Sequence, residues 1–164
     1  MADPIAHPAV KRVQAALAEA GSEAQVIALA STARSAEDAA ASIGTPLGSI
    51  VKSLVFTVGG APVMALVAGD RRCDTMALGS ALGREGRVRR ADADAVREAT
   101  GFAIGGVAPV AHETRLPVAI DASLGRFETV YAAAGHPHCV FATTIGELER
   151  LTGGTVSAEI AVAQ

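Results

Sequence analysis

One lysine stands out among the residues whose chemistry could serve a site. The 14 basic residues are 12 arginines and two lysines, Lys11 and Lys52. Lys52 lies within the apolar run Ile50–Val58, whose β-branched composition predicts a strand. An ammonium group buried there needs a carboxylate, carbonyl oxygens or an anionic ligand as its partner, because burying a bare charge is costly. A solvated lysine whose stem lies along the sheet is the alternative that composition leaves open.

A glycine-rich loop is the second feature with chemical potential. It runs from Thr100 to Pro109 and contains Gly105 and Gly106 side by side. Adjacent glycines permit positive φ and close approach of the backbone to a ligand, and successive amides can bind an anion or a developing oxyanion. The loop lacks the Gly-Lys-Ser/Thr step of a Walker motif and the spacing of a dinucleotide fold. A plain turn between strands is the alternative.

The other reactive side chains give weaker indications of a functional site. His136-Pro137-His138-Cys139 has no second ligand cluster, and sequence neighbours in a strand point to opposite faces, so no metal site is predicted. No G-x-S-x-G elbow marks a serine nucleophile. His112 follows the glycine loop, where it is either a ligand contact or an exposed histidine. Cys73 has two arginines just before it that would lower its pKa.

A basic cluster interrupts an otherwise acidic chain. Such a group is usually a solvated edge, but it could also contact a phosphate backbone. Its members are Arg84, Arg87, Arg89 and Arg90.

Capping signals and apolar runs predict the elements that hold these residues. Helices are predicted to begin at or just after five residues, namely Pro8, Ser35, Asp74, Asp92 and Thr144. The helix after Asp92 is predicted to end near the glycine loop, and each of the others ends at a glycine. Strands are predicted at 25–30, 50–58, 62–68, 116–120, 129–134 and 139–142, with a hairpin turn at Gly59-Gly60. The tight hairpin argues against a purely parallel sheet, so we expect a mixed, largely closed sheet with helices outside it.

Length and composition set the remaining bounds. The 164 residues favour one domain, 1–164, and half are apolar with 19% charged, which excludes a disordered chain or a coiled-coil rod. A net charge of −3 gives no global attraction to nucleic acid or membrane. The apolar runs are too short to span a bilayer, the first residues do not resemble a signal peptide, and the two cysteines have no disulfide spacing. We expect a cytoplasmic protein.

Three segments in this order, 50–56, 100–109 and 116–121, resemble the YbaK family of aminoacyl-tRNA deacylases. These are free-standing relatives of the editing domain inserted in bacterial prolyl-tRNA synthetases, and the resemblance covers nearly the whole chain. It implies an α+β (mixed α/β) fold with a mixed, mostly antiparallel, barrel-like sheet of six to seven strands flanked by helices.

The resemblance also implies a reaction, namely hydrolysis of the ester that joins an incorrect amino acid to the 3′ adenosine of tRNA. Lys52 would hold the terminal phosphate or ribose. Gly105 and Gly106 would fix the substrate carbonyl or the attacking water. No metal or organic cofactor is implied. The expected partner is the 3′ end of aminoacyl-tRNA, with an aminoacyl-tRNA synthetase as a further candidate, and neither membrane nor DNA is expected.

Five further residues match positions that bind substrate in the family or neighbour its amino-acid pocket: Thr100, Pro109, Asp121, Ala133 and Gly135. Some family members that clear cysteine have Ser-Gly-Gly where this chain has Ala133-Ala134-Gly135, which points to another small residue such as Ala, Ser or Thr. Two other functions stay open. One is a non-catalytic module that binds a nucleotide or aminoacyl-tRNA, and the other is a small-molecule esterase.

Overall fold

The computed structural model describes residues 3–30, 33 and 35–164. Five α-helices lie in this part of the chain: α1 (Pro8–Glu19), α2 (Ala36–Ile43), α3 (Thr75–Ala81), α4 (Ala93–Thr100) and α5 (Ile145–Thr152). The side chains of Ser35, Asp74, Asp92 and Thr144 each accept a hydrogen bond from a backbone amide of the first turn, as the capping signals predict. The predicted helices are therefore confirmed.

Ten strands accompany the helices. They are β1 (Val26–Ala28), β2 (Ile50–Val58), β3 (Ala61–Ala68), β4 (Arg71–Cys73), β5 (Val88–Arg90), β6 (Val118–Asp121), β7 (Val130–Ala133), β8 (Cys139–Thr143), β9 (Thr155–Ser157) and β10 (Ala161–Ala163). The six predicted strands are all present. The four additional strands, β4, β5, β9 and β10, have three residues each, which is too short to show alternation of apolar and polar residues.

The main sheet contains eight strands in the order β1-β8-β7-β2-β3-β6-β9, with β5 paired to β2, and β4 pairs separately with β10. Three pairings are parallel, β2 with β7, β3 with β6 and β6 with β9, while the others are antiparallel. The mixed, mostly antiparallel class is confirmed, and the sheet has more strands than the six to seven expected. Among the described residues no ladder joins β1 to β9, so the sheet is open there.

Both faces of the central strands are covered. One face of β2, β3 and β6 packs on α1, α4 and the buried Phe102 of the glycine loop, while the other packs on Leu78 of α3 and on Ile160. This double burial explains why β3 is a nearly continuous apolar run rather than an alternating one. A smaller apolar cluster joins α2 to Ile50. No helix in the described part of the chain is long and apolar enough to cross a membrane.

The edge of β2 that faces away from β3 is interrupted in the middle. β7 pairs with Ile50 and Val51 at one end, and β5 pairs with Phe56 to Val58 at the other. Between them, residues 52–55 have no strand partner on this side among the described residues. The sheet therefore has a gap in the strand that carries Lys52.

Candidate functional site

A cleft of about 310 Å³ opens at the gap in β2. Its walls come from the first half of β2, the start of α2, the junction of β5 with α4, the glycine loop and the β7–β8 hairpin. The lining residues with polar groups are Ser35, Lys52, Ser53, Arg90, Gly105 and Tyr131. Lys52 and Gly105, which lie far apart in the sequence, thus meet in one cleft.

Lys52 is half-buried, and its ammonium group donates a hydrogen bond to the backbone carbonyl of Arg71 at the start of β4. Burial lowers the pKa of Lys52 below its ordinary value, although the nearby carboxylates of Glu37 and Asp70 oppose this shift. The Arg90 guanidinium acts in the same direction as burial. A cation held at the wall of a cleft with carbonyl oxygen as its hydrogen-bond partner is well placed to receive an anionic ligand.

Backbone hydrogen-bonding groups of β2 also face the gap. The amide of Gly69 donates to the carbonyl of Ile50, so the even-numbered residues of β2 bond to β3. The amide of Ala91 donates to the carbonyl of Val55, so the odd-numbered residues point to the opposite edge. Ser53 therefore presents its amide and carbonyl to the gap, where no strand pairs with it among the described residues.

Gly105 is exposed and has a φ of +96°, a conformation that favours glycine. A Cβ placed on it would have only ordinary contact with Pro137 Cγ, at 3.5 Å. Its amide donates no hydrogen bond to any residue that the structure describes. Gly105 thus supplies an uncommitted backbone donor at the cleft, and its requirement for glycine comes from conformation rather than space.

Gly106 differs from its neighbour. It is buried and lies outside the cleft lining, and its amide donates to the carbonyl of Ala103 at 3.0 Å. A Cβ would lie 2.9 Å from the His136 amide nitrogen and 3.0 Å from the backbone of Gly135. The Gly106 amide is therefore engaged within the loop, and the glycine allows the loop to pack against the β7–β8 hairpin. A contact of the Gly106 backbone with substrate stays a prediction.

Thr100 and Pro109, the ends of the glycine loop, do not line the cleft. Thr100 is fully buried, its hydroxyl donates to the Val96 carbonyl, and the Phe102 amide donates to that hydroxyl. Pro109 lies in a second groove beside α1 and α5 together with His112. Neither residue lines the cleft in this structure, and their contact with substrate stays a prediction.

Asp121 and Gly135 also lie outside the cleft, whereas Ala133 lines it as expected. The buried Asp121 carboxylate accepts hydrogen bonds from the Ala68 amide and from both the amide and hydroxyl of Ser123, so it joins β3 to the end of β6. Gly135 has a φ of +95°, and a Cβ there would lie 2.8 Å from the carbonyl oxygen of Ala9. These two residues position the walls instead of touching the ligand space.

Sequence reasoning assigned no role to several cleft residues. The Ser53 hydroxyl is buried in the cleft wall without a hydrogen-bond partner, which is unusual because buried polar atoms are normally paired. Tyr131 and Ile104 also line the cleft, and Ile104 is 59% exposed. Because side chains alternate along a strand, the sequence predicts that Ser53 and Lys52 project from opposite faces of β2. Nothing in the sequence shows that this stretch of β2 lacks a neighbouring strand on one side.

The remaining reactive side chains, those of Cys73, His112, His136 and His138, lie outside the cleft lining. Burial raises the pKa of Cys73 to about 11, so the expectation that neighbouring arginines lower it is wrong. His112 Nε2 lies 2.7 Å from the Ala108 carbonyl oxygen, and burial lowers its pKa. In the His136–His138 turn, His136 Nδ1 accepts from the His138 amide. Among the described residues, no group of three or more His, Cys, Asp or Glu is placed to hold a metal ion.

Comparison with known proteins identifies the family. The sequence profile described as the aminoacyl-tRNA editing domain matches residues 30–151, which include the strand of Lys52, the glycine loop and the β7–β8 hairpin. The chain belongs to the aminoacyl-tRNA editing domain family. The predicted resemblance to YbaK-type deacylases is therefore confirmed, and this editing domain is a hydrolase of the aminoacyl-tRNA ester class.

Curated relatives of this editing domain fall into two kinds. The YwhH protein of Bacillus subtilis (strain 168), described as uncharacterized, is 33% identical over 146 residues, 87% of this chain and 90% of that protein. The proline--tRNA ligase of Desulfovibrio desulfuricans is 38% identical over 92 residues, which is 56% of this chain but only 16% of the ligase. The editing domain thus matches the Bacillus subtilis protein along most of both chains, whereas its match to the ligase covers only a small part of the ligase.

Solved structures agree with the family. A crystal structure described as a candidate trans-editing enzyme for prolyl tRNA synthetase is 41% identical, has a TM-score of 0.86, and is matched over 92% of this chain and 96% of that chain. The hypothetical protein APE2540 is 26% identical with a TM-score of 0.83, over 92% of this chain and 99% of that one. The editing domain therefore has the fold that its family predicts.

Proposed function

We propose that this protein acts in trans and removes a small amino acid from a tRNA to which it was wrongly attached, with the 3′ aminoacyl-adenosine bound in the cleft of Lys52 and Gly105. The observation that carries the proposal is the meeting of these two groups on one cleft at the gap in β2. One supplies a positive charge and the other an uncommitted amide. The 3′-terminal nucleotide of an aminoacyl-tRNA offers a partner to each, an anionic 5′ phosphate to the charge and an ester carbonyl to the amide.

The chemistry that fits these groups is hydrolysis by polarisation and placement. The Gly105 amide donates to the ester carbonyl oxygen and stabilises the negative charge that develops there. Water adds its hydroxyl to the acyl carbon, the bond to the ribose oxygen breaks, and the ribose oxygen takes up a proton. Lys52 holds the terminal phosphate, so that the ester stays in register with the loop.

We propose a reaction without a protein general base. Its lining contains no carboxylate and no imidazole among the described residues. An aminoacyl ester is already activated, and a neighbouring 2′-hydroxyl of the substrate can assist the attacking water. The Ser53 hydroxyl is a candidate to orient that water or the ribose once substrate is bound, since it is buried in the cleft wall and has no hydrogen-bond partner.

The walls support a small side chain on the substrate. Five alanines line the cleft, and Cys139 adds a further small residue. The alanines are Ala33, Ala36, Ala39, Ala91 and Ala133. A volume of about 310 Å³ must also hold part of the ribose. These dimensions favour Ala, Ser or Thr over a large aliphatic or aromatic residue. Such a substrate places the protein in translation in the cytoplasm, with a synthetase as the source of the mischarged tRNA.

A deacylation screen tests the proposal. Purified protein is incubated with tRNAs charged with Ala, Ser, Thr, Cys or Phe, and release of the labelled amino acid is followed under single-turnover conditions. We expect turnover on at least one small-residue substrate and none on the phenylalanyl ester. Lys52→Ala should lower the activity at least tenfold, while the exposed-site control Lys11→Ala keeps it. Binding without turnover on every substrate would favour a non-catalytic module, and equal turnover of simple aminoacyl esters would favour an esterase.

A further inference from the structure

Arg12 connects helix α1 to both ends of the glycine loop. Its Nη2 donates to the Thr100 carbonyl at 3.1 Å, where the loop begins, and its Nε donates to the Ala111 carbonyl at 3.1 Å, just beyond the end of the loop. Its guanidinium carbon lies 4.4 Å from the centroid of the buried Phe102 ring. One side chain therefore contacts the segment that carries Gly105 at both ends and at its buried ring.

The loop depends on such contacts because it lacks regular secondary structure. Residues 101–117 belong to no helix or strand and connect α4 to β6. Ala111 has a φ of +65°, a conformation that residues other than glycine rarely adopt, so the surrounding contacts must hold it there. The Gly105 amide donates to no residue that the structure describes, and its direction is therefore set by the backbone on either side.

The guanidinium of Arg12 lies in a place that the loop leaves open for it. Gly101 has a φ of +80°, and a Cβ there would lie only 2.7 Å from Arg12 Nη2. The exposed Glu113 carboxylate lies 3.6 Å from Nη1 on the solvent side. Val13 and Leu17 bury the other face of α1 in the core, so the helix is a rigid base for the contact.

We infer that Arg12 is a positioning residue for ester hydrolysis: it holds the glycine loop in the conformation that directs the Gly105 amide toward the ester carbonyl. This inference rests on the proposed function. Arg12 lies outside the cleft lining, so it acts through the loop and not by contact with substrate. The Gly105 amide stabilises charge that develops in the transition state, whereas Lys52 binds the phosphate. Loss of the guanidinium should therefore lower kcat and leave KM nearly unchanged.

Four variants test the inference. Arg12→Ala removes the guanidinium, and Arg12→Lys keeps a charge but lacks the planar fork that reaches two carbonyls. Glu113→Gln removes the exposed ion pair and leaves both carbonyl bonds in place. Lys11→Ala changes the exposed neighbour of Arg12 on α1. Each variant is assayed with the aminoacyl-tRNA that the screen identifies, and its thermal unfolding is measured in parallel.

We expect Arg12→Ala to lower kcat about 10- to 100-fold and to change KM less than about twofold. Arg12→Lys should lose most of the same rate while its Tm stays within about 4 °C of the wild type. Glu113→Gln and Lys11→Ala should keep more than about half of kcat, because exposed charges contribute little.

Chemical rescue separates positioning from a general loss of stability. Guanidinium ion at low millimolar concentration should restore part of the kcat of Arg12→Ala, whereas urea or sodium chloride at equal concentration should not. A purely structural role of Arg12 predicts the opposite result, because guanidinium weakens folded proteins.

Hydrogen exchange supplies a measurement that does not need activity. The amides of Phe102 and Gly106 donate hydrogen bonds within the loop, and both should exchange about tenfold faster or more in Arg12→Ala and in Arg12→Lys. Amides of β3 should exchange as in the wild type. A folded Arg12→Lys with wild-type kcat, or unchanged exchange of these loop amides, would overturn the inference. Failure of the wild-type protein to cleave any ester would instead refute the proposed function, and hydrogen exchange would still decide whether Arg12 holds the loop.

Discussion

Replacing Lys52 by methionine tests the central interaction of the cleft. Methionine has a similar length and no charge, so the variant removes the hydrogen bond that we propose between Lys52 and the terminal phosphate. A hydrogen bond to a charged group contributes about 1.5–3 kcal/mol. At about 1.4 kcal/mol for each tenfold in rate, kcat/KM for aminoacyl-tRNA should fall roughly 10- to 150-fold.

The same substitution should leave the fold intact. Lys52 is half-buried and its pKa is lowered by burial, so the folded state bears a cost for the charge that methionine does not. The hydrogen bond to the Arg71 carbonyl is lost in exchange. These effects oppose one another, and we expect a change in Tm of no more than about 4 °C, equivalent to about 1 kcal/mol. A correctly folded variant that keeps more than half of the wild-type kcat/KM would refute the role of Lys52.

The pH profile supplies an independent measurement on the same residue. Lys52 binds phosphate in its protonated form, and its lowered pKa means that this form is lost at a lower pH than for an ordinary lysine. Wild-type kcat/KM, corrected for spontaneous ester hydrolysis, should therefore decline on the alkaline side below the ordinary lysine pKa. In Lys52→Arg the decline should move to higher pH, because guanidinium stays charged. An identical alkaline limb in both proteins would contradict the assignment.

The other predictions concern neighbouring groups. Gly105→Ala should lower kcat at least tenfold in single-turnover assays and cost about 1–2 kcal/mol in stability, because alanine resists the φ of +96°. Gly106→Ala should cost about 1–3 kcal/mol through overpacking, seen as a lower Tm by calorimetry. Ser53→Ala should reduce kcat/KM without lowering Tm, since the buried hydroxyl has no partner to lose. In Cys139→Ser, the thiol of Cys73, with its pKa of about 11, should react with a disulfide reagent roughly a hundredfold more slowly than an ordinary cysteine.

The sequence was sufficient for the elements that carry strong local signals. Capping residues such as Ser35 and Thr144 mark helix starts because their side chains bond amides within the same turn. The apolar run of β2 predicted the strand with its bounds. The three-residue strand β5 could not be predicted, because its pattern is polar and its pairing depends on the distant β2. The register of the parallel pairs likewise depends on contacts between segments far apart in the chain.

The sequence points to those residues of the site whose type is unusual for their position in the chain. A lysine in an apolar strand and a pair of glycines are visible in a single sequence, and both mark positions at or beside the cleft. The sequence does not distinguish Gly105 from Gly106. Gly105 requires glycine because of its positive φ, whereas Gly106 requires glycine because the backbone of Gly135 lies too close for a Cβ. The family resemblance placed Asp121 among the substrate-binding positions, and in the structure its carboxylate accepts a hydrogen bond from the Ala68 amide. A buried carboxylate looks the same in sequence whether it faces a ligand or an amide.

The gap in β2 connects the strand to its function. An unpaired strand edge is a hazard because another chain can add to it, and proteins limit such edges by keeping them short or placing a charge there. Here the open segment has only four residues, 52–55, is closed at both ends by β7 and β5, and begins with Lys52. A gap this short, closed at both ends, disfavours the addition of a strand from another chain. The amide and carbonyl of Ser53 still face the gap without a strand partner among the described residues. The same interruption that requires a protected edge therefore lies at the opening of the cleft, where we propose that the 3′-terminal nucleotide binds.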